Sequence, residues 1–173
     1  MATPKQLVAK VAEITGVPEG TVIQHDRNLS VAELRTTGGR GLAVAKVTFE
    51  DAANLLIAVA GSRNVKDSAK TVREYRELPA SDPLVFGKTF GEALAALIES
   101  VPKDRDLFAG PEGGTIDVSI LGPNPAARIE WQLPNSQGRV DYRSKSKRTF
   151  ADLQFVSKFS QVTIGHVGDL LSD

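Results

Sequence analysis

The residues that could do chemistry in this chain are few, and most are placed where their usual chemistry fails. Gly87-Lys88-Thr89 has the ending of a phosphate-binding loop, but the glycine required five residues earlier is Asp82. Gly110 to Gly114 is glycine-rich but leads into a strand pattern, not into a helix whose N-terminus could hold a phosphate. The two histidines, His25 and His166, are far apart and lie in no metal-ligand spacing. There is no cysteine, which removes disulfides, thiolate zinc sites and a thiol nucleophile at once. No serine sits in a nucleophile elbow, and Asp104 and Asp106 flank Arg105 as a solvated loop would. The reading is therefore of a protein that is not an enzyme, with no catalytic residue, no metal site and no cofactor.

What remains is basic and polar side chains at particular spacings. Arg35, Arg40 and Lys46 fall within a stretch that carries no acidic residue, so this glycine-rich segment is locally positive. Lys66, Lys70 and Arg73 also form a stripe, but Asp67, Glu74 and Glu77 sit close by, which reads as a solvated helix face. Arg139 to Arg148 holds five basic residues against Asp141, fitting either a second nucleic-acid contact or a solvated loop.

The elements that must position these residues are legible from caps and periodicity. Thr3, Pro4 and Gln6 open a helix on which Leu7, Val11 and Ile14 recur, and Gly16 stops it. Pro18 opens a second helix, expected over 18–34, with Val22, His25, Leu29 and Ala32 on one side and Gln24, Arg27 and Asn28 largely on others. His25 on the apolar stripe is expected to be packed or hydrogen-bonded. Residues 35–41 are turn-rich, and Leu42 to Val47 reads as a short strand of a hairpin. Thr48 and Asp51 cap a third helix carrying Ala52, Leu55, Leu56 and Val59, and a fourth is expected over 65–78.

Pro79 to Pro83 is the natural boundary between a first unit, 1–78, and a second, 84–173. The second unit begins with a helix capped by Thr89 and Glu92. Strands follow over 115–121, 127–133 and 139–143, separated by Gly-Pro-Asn-Pro and Pro-Asn-Ser-Gln-Gly turns, which makes a small antiparallel sheet. The last 25 residues read as helix or strand about Phe150 to Val156, with a terminal helix over 167–171. The fold class is α+β.

Bulk numbers restrict the partners. The chain has 173 residues, of which 21 are basic and 21 acidic, so any attraction to a polyanion must be local. No signal-peptide pattern or long apolar run is present, and a soluble cytoplasmic protein without membrane contact is expected.

The run Val11-Ala12-Glu13-Ile14-Thr15-Gly16-Val17-Pro18-Glu19-Gly20-Thr21-Val22 resembles the helix-turn-helix of bacterial and bacteriophage transcription regulators. Ala12 stands where two helices cross closely, Gly16 where the turn needs a left-handed residue, and Val17 and Val22 where apolar residues close the unit. The basic segment 35–47 resembles the wing of winged-helix members of that group. His25 departs from the pattern, which usually has an aliphatic residue there. The resemblance covers about residues 3–60 and implies a winged helix-turn-helix followed by a small α+β module for dimerisation or effector binding. It implies that helix 18–34 enters the major groove of double-stranded DNA, with Thr21, Gln24, Arg27 and Asn28 as readers. The wing residues Arg35, Arg40 and Lys46 would meet phosphates or the minor groove, with Lys5 and Lys10 adding backbone contacts. The leading expectation is a sequence-specific transcription regulator acting as a homodimer or larger homo-oligomer. The alternatives are a phage or mobile-element accessory DNA binder for packaging or recombination, or a protein-binding antagonist built on the same scaffold.

Overall fold

The computed structural model describes residues 2–38, 45–145 and 150–172. Among these are six α-helices and one four-stranded antiparallel sheet, an α+β arrangement. Helix α1 spans Pro4–Thr15 and α2 spans Glu19–Val31. Helix α3 is Phe49–Gly61, a 3-10 turn follows at Val65–Asp67, and α4 is Ser68–Arg76. Helix α5 is Phe90–Ser100. The strands β1 Thr115–Gly122, β2 Ala126–Leu133, β3 Ser136–Arg143 and β4 Phe155–Ser160 come next, and β4 runs directly into α6, Gln161–Ser172.

Local chemistry explains the helix starts. Thr3, Thr48 and Thr89 each accept a hydrogen bond from the third helical N–H, while Gln6, Asp51 and Glu92 reach back to the cap. All three capping boxes satisfy two otherwise orphaned N–H groups apiece. Gly16 ends α1 at φ 70°, where a Cβ would be strained.

Helix α2 differs from the expected 18–34 by stopping at Val31. Glu33 takes a left-handed φ of 59°, and the Leu34 N–H donates to the Leu29 carbonyl, which turns the chain back. The expected fourth helix opens as a 3-10 turn and becomes α-helical only at Ser68. Residues 45–47, which fall in the expected strand 42–47, are not in a strand; the Val47 N–H instead donates to the Ala2 carbonyl. The rest of that segment, with Arg40, lies outside the described residues.

The sheet order is β3-β2-β1-β4. Ile116, Val118, Ile120, Ala127, Ile129, Val140 and Tyr142 fill its inner face, against which α3 and α6 lie. The stretch expected as a linker is tied to that sheet: Pro79 and Ala80 bridge Thr89 and Tyr142, and the Ser81 N–H donates to the Asp141 carbonyl. Buried apolar residues on both sides of this stretch, from Ala2 to Leu171, form one cluster. The Tyr75 hydroxyl on α4 adds a polar tie, donating to the Leu121 carbonyl at 2.7 Å. Among the described residues no helix is long and apolar enough to cross a membrane.

Candidate nucleic-acid interface

Helix α2 is anchored by one stripe and exposed along another. Val22, His25 and Leu29 are buried against the body, and their opposite side carries Gly20, Ile23, Gln24, Arg27 and Val31 in the open. This division follows from helical periodicity, since residues three and four apart share a face.

Two polar contacts hold α2 in this rotation. The His25 ring faces Ser68 Oγ at 2.8 Å, and the Ser68 hydroxyl donates in turn to the Val65 carbonyl. With its own proton on Val65, the serine accepts from a protonated Nδ1, and burial holds the ring's pKa below the ordinary histidine value. Asn28 Nδ2 donates to the same Val65 carbonyl at 2.8 Å.

On the other flank, Arg35 Nε lies 2.8 Å from Asp26 Oδ1, with both side chains largely covered. The two atoms make a close ionic contact without hydrogen-bond alignment. Burial raises the Asp26 pKa, the Arg35 charge opposes that rise, and the nearby Asp51 carboxylate adds to it.

The basic segment beyond Arg35 has a defined root. Asp51 is 4% exposed and accepts from both of the segment's ends, the Thr36 N–H at 2.7 Å and the Thr48 N–H at 2.8 Å. Asn54 Nδ2 secures the outgoing arm by donating to the Leu34 carbonyl at 2.8 Å. The chain therefore leaves and returns at a single buried carboxylate beside the C-terminal half of α2. Such a root fixes where the segment leaves and rejoins the body.

The sequence-selected residues divide accordingly. Gln24 and Arg27 are exposed together on α2, and Thr21 is half-buried toward the Asn28 flank. Asn28 is spent on the Val65 carbonyl and Arg35 on Asp26, so both hold the scaffold rather than face outward. Lys46 is exposed on the returning arm, and Arg40 lies outside the described residues. Of the two lysines on α1, Lys5 is exposed and Lys10 is paired with Glu13 at 2.7 Å.

Sequence reasoning missed Ile23 and Val31, which are 50% and 80% exposed on the Gln24 and Arg27 face. Their spacing of eight, with Arg27 midway, was the available signal. It missed Asp51 as the root as well, because a capping aspartate looks the same whether or not it also holds a distant N–H.

Among the described residues no three histidine, aspartate or glutamate side chains are grouped to hold a metal. No family model, no characterised protein and no solved structure matches the chain.

Proposed function

We propose that α1, the Gly16 turn, α2 and the segment rooted at Asp51 act as a winged helix-turn-helix that binds duplex DNA. In this reading the protein is a transcription regulator that works as paired copies, because operators repeat their half-sites with two-fold symmetry. The observation that carries it is the free placement of Gln24 and Arg27, one turn apart on the exposed face of the second helix, beside the root of an acid-free basic segment. An amide and a guanidinium at that spacing suit bidentate contacts to adenine and guanine in the major groove. Gly20 on the same face lets the helix approach the groove without a side chain in the way.

The test is duplex selection from random sequence, followed by fluorescence anisotropy with the selected site. Arg27→Ala is expected to weaken binding by about 1–3 kcal/mol and to relax preference at one base position. Arg27→Ala combined with Arg40→Ala is expected to abolish measurable binding while leaving the helical circular dichroism unchanged. A wild-type protein that retains no duplex in a salt-dependent way at low ionic strength overturns the proposal. A second reading then takes over, favoured by Ile23 and Val31: apolar side chains exposed on a helix face suit a protein partner.

A further inference from the structure

Strand β4 is an edge: β1 pairs with one side of it, and among the described residues no strand pairs with the other. An open edge is a row of unsatisfied N–H and C=O groups, and proteins guard such edges with proline, bulges or outward lysines. Strand β4 has none of these guards. It contains no proline, and its register with β1 runs unbroken from Asp117↔Ser160 to Gly122↔Phe155. Its only charge, Lys158, is drawn back over the β1 side to Asp117 at 3.0 Å.

The chain around this edge is also unusually apolar for a surface. Phe150, Leu153, Val156 and Val162 are all exposed, Phe150 completely and the others by 74%, 57% and 58%. Isolated exposed apolar residues are ordinary, but four of them within the thirteen residues that contain and flank this unguarded strand concentrate apolar surface next to it in the chain.

We propose that β4 pairs antiparallel with β4 of a second copy, joining two four-stranded sheets into one. The occupant is identified by the strand's own symmetry. Phe155-Val-Ser-Lys-Phe159 is balanced about Ser157, and a two-fold axis through Ser157 sets Phe155 opposite Phe159 of the second copy, twice. These aromatic pairs fall on the inner side, where Phe159 already packs against the core and the Arg63 guanidinium covers Phe155 at 5.1 Å. On the outer side Val156 meets Lys158 of the copy, so no like charges face each other. Moving the axis to Lys158 would oppose two ammonium groups, and moving it to Val156 would set Phe155 against Ser157. The axis at Ser157 is therefore the register with the best cross-strand pairs. This inference supplies the surface for the paired copies of the proposed function, but it does not depend on DNA contact.

The chain has no cysteine, so single cysteines report the register directly. In the proposed pairing the two Ser157 positions are directly opposed, with Cα atoms about 4.5–5.5 Å apart. That is within the span of about 4.4–6.8 Å that a disulfide bridges. Ser157→Cys is expected to cross-link into a covalent dimer under mild oxidation, whereas Val156→Cys, which faces Lys158 of the copy, stays uncross-linked. Wild-type protein without DNA is expected to sediment at twice 18.5 kDa at tens of micromolar, with both variants keeping the wild-type melting profile.

A monomer mass at every concentration overturns the pairing, as does a dimer in which Ser157→Cys fails to cross-link or Val156→Cys cross-links equally. Duplex binding is measured separately. A monomer that still binds DNA defeats the β4 pairing alone, and a cross-linking dimer that binds no duplex defeats the DNA reading alone.

Discussion

Removing the carboxylate of Asp51 tests whether one buried side chain roots the basic segment. In Asp51→Ala, the N–H groups of Thr36 and Thr48 lose acceptors at 2.7 and 2.8 Å, and α3 loses the reciprocal half of its capping box. Hydrogen bonds to a charged acceptor contribute about 1.5–3 kcal/mol each, so the gross loss is about 3–6 kcal/mol. Two effects reduce it. Thr36 and Thr48 are themselves exposed, so water replaces part of what is lost, and Asp26 is relieved of a neighbouring negative charge. The net expectation is about 2–3 kcal/mol, which lowers the unfolding midpoint of a chain this size by about 4–12 °C. Asp51→Asn should fall between wild type and alanine, because an amide has one acceptor oxygen for two N–H donors. The assay is thermal unfolding followed by circular dichroism at pH 7, paired with trypsin digestion under native conditions. Cleavage within residues 35–46 should speed up in the alanine variant more than cleavage elsewhere, since local opening there becomes easier. A midpoint for Asp51→Ala within about 2 °C of wild type would refute the root, because the bonds would then contribute under about 1 kcal/mol.

The scaffolding and outward residues of α2 should separate cleanly in mutagenesis. Asn28→Ala is expected to cost about 1–2 kcal/mol of stability through the lost bond to Val65 and to leave duplex affinity unchanged, with Gln24→Ala showing the reverse in a paired melting and anisotropy experiment. Stability should also fall on mild acidification. His25 is held below its ordinary pKa of 6.5 by burial, so the unfolded chain takes up a proton first and the loss begins as pH drops through about 6.5. The raised Asp26 pKa acts in the opposite direction, since the folded state binds that proton more readily than the unfolded chain. Urea midpoints between pH 7.5 and 5.5 should therefore slope in wild type and flatten in His25→Gln; equal slopes would remove His25 as the cause. In Gly168→Ala a methyl group would run into the Ile98 carbonyl and the Pro102 ring where α6 crosses α5. A loss of about 2–3 kcal/mol, or failure to fold, is expected in urea titration, and a variant as stable as wild type would mean that this crossing is loose.

What could be read from the sequence was local. The three threonine caps, the Gly16 stop and the three strands about the Gly122 to Pro125 and Pro134 turns depend on residues within a few positions of one another. The third strand nevertheless opens at Ser136 and not at the expected Arg139, because Ser136, Gln137 and Gly138 pair with β2. What could not be read was set by distant partners. Helix α2 ends early because Leu34 is captured by Leu29 and by Asn54 of α3, a contact twenty residues along the chain. The pattern about Phe150 to Val156 fits helix or strand, and pairing with β1 makes a strand that starts only at Phe155 and runs on to Ser160. The roles of Asn28 and Arg35 were hidden for the same reason. An asparagine or arginine has the same chemistry facing a groove or facing inward, and here Val65 and Asp26 hold them.

The reassignment of Arg35 leaves a single copy poorly equipped to hold DNA, and this gives a measurable link between interface and pairing. Of the basic residues selected on α2 and its basic segment, Arg27, Arg40 and Lys46 remain once Arg35 is committed to Asp26. With Arg27 reading a base, the phosphate contacts of one copy fall to Arg40, Lys46 and the exposed Lys5 of α1, and log affinity should fall against log salt with a slope of about −2.7 for one copy, at about −0.9 per phosphate. Two copies on one operator should double it to about −5. Lys10 is held by Glu13 and adds no contact while that pair persists. Titration of the selected duplex from low to moderate salt therefore reports how many copies grip it. A slope near −5 that drops by about two in Lys46→Ala fits two wings used symmetrically, one lost lysine per copy. A slope near −3 with the covalent Ser157→Cys dimer would mean that β4 pairing holds the second α2 away from the groove.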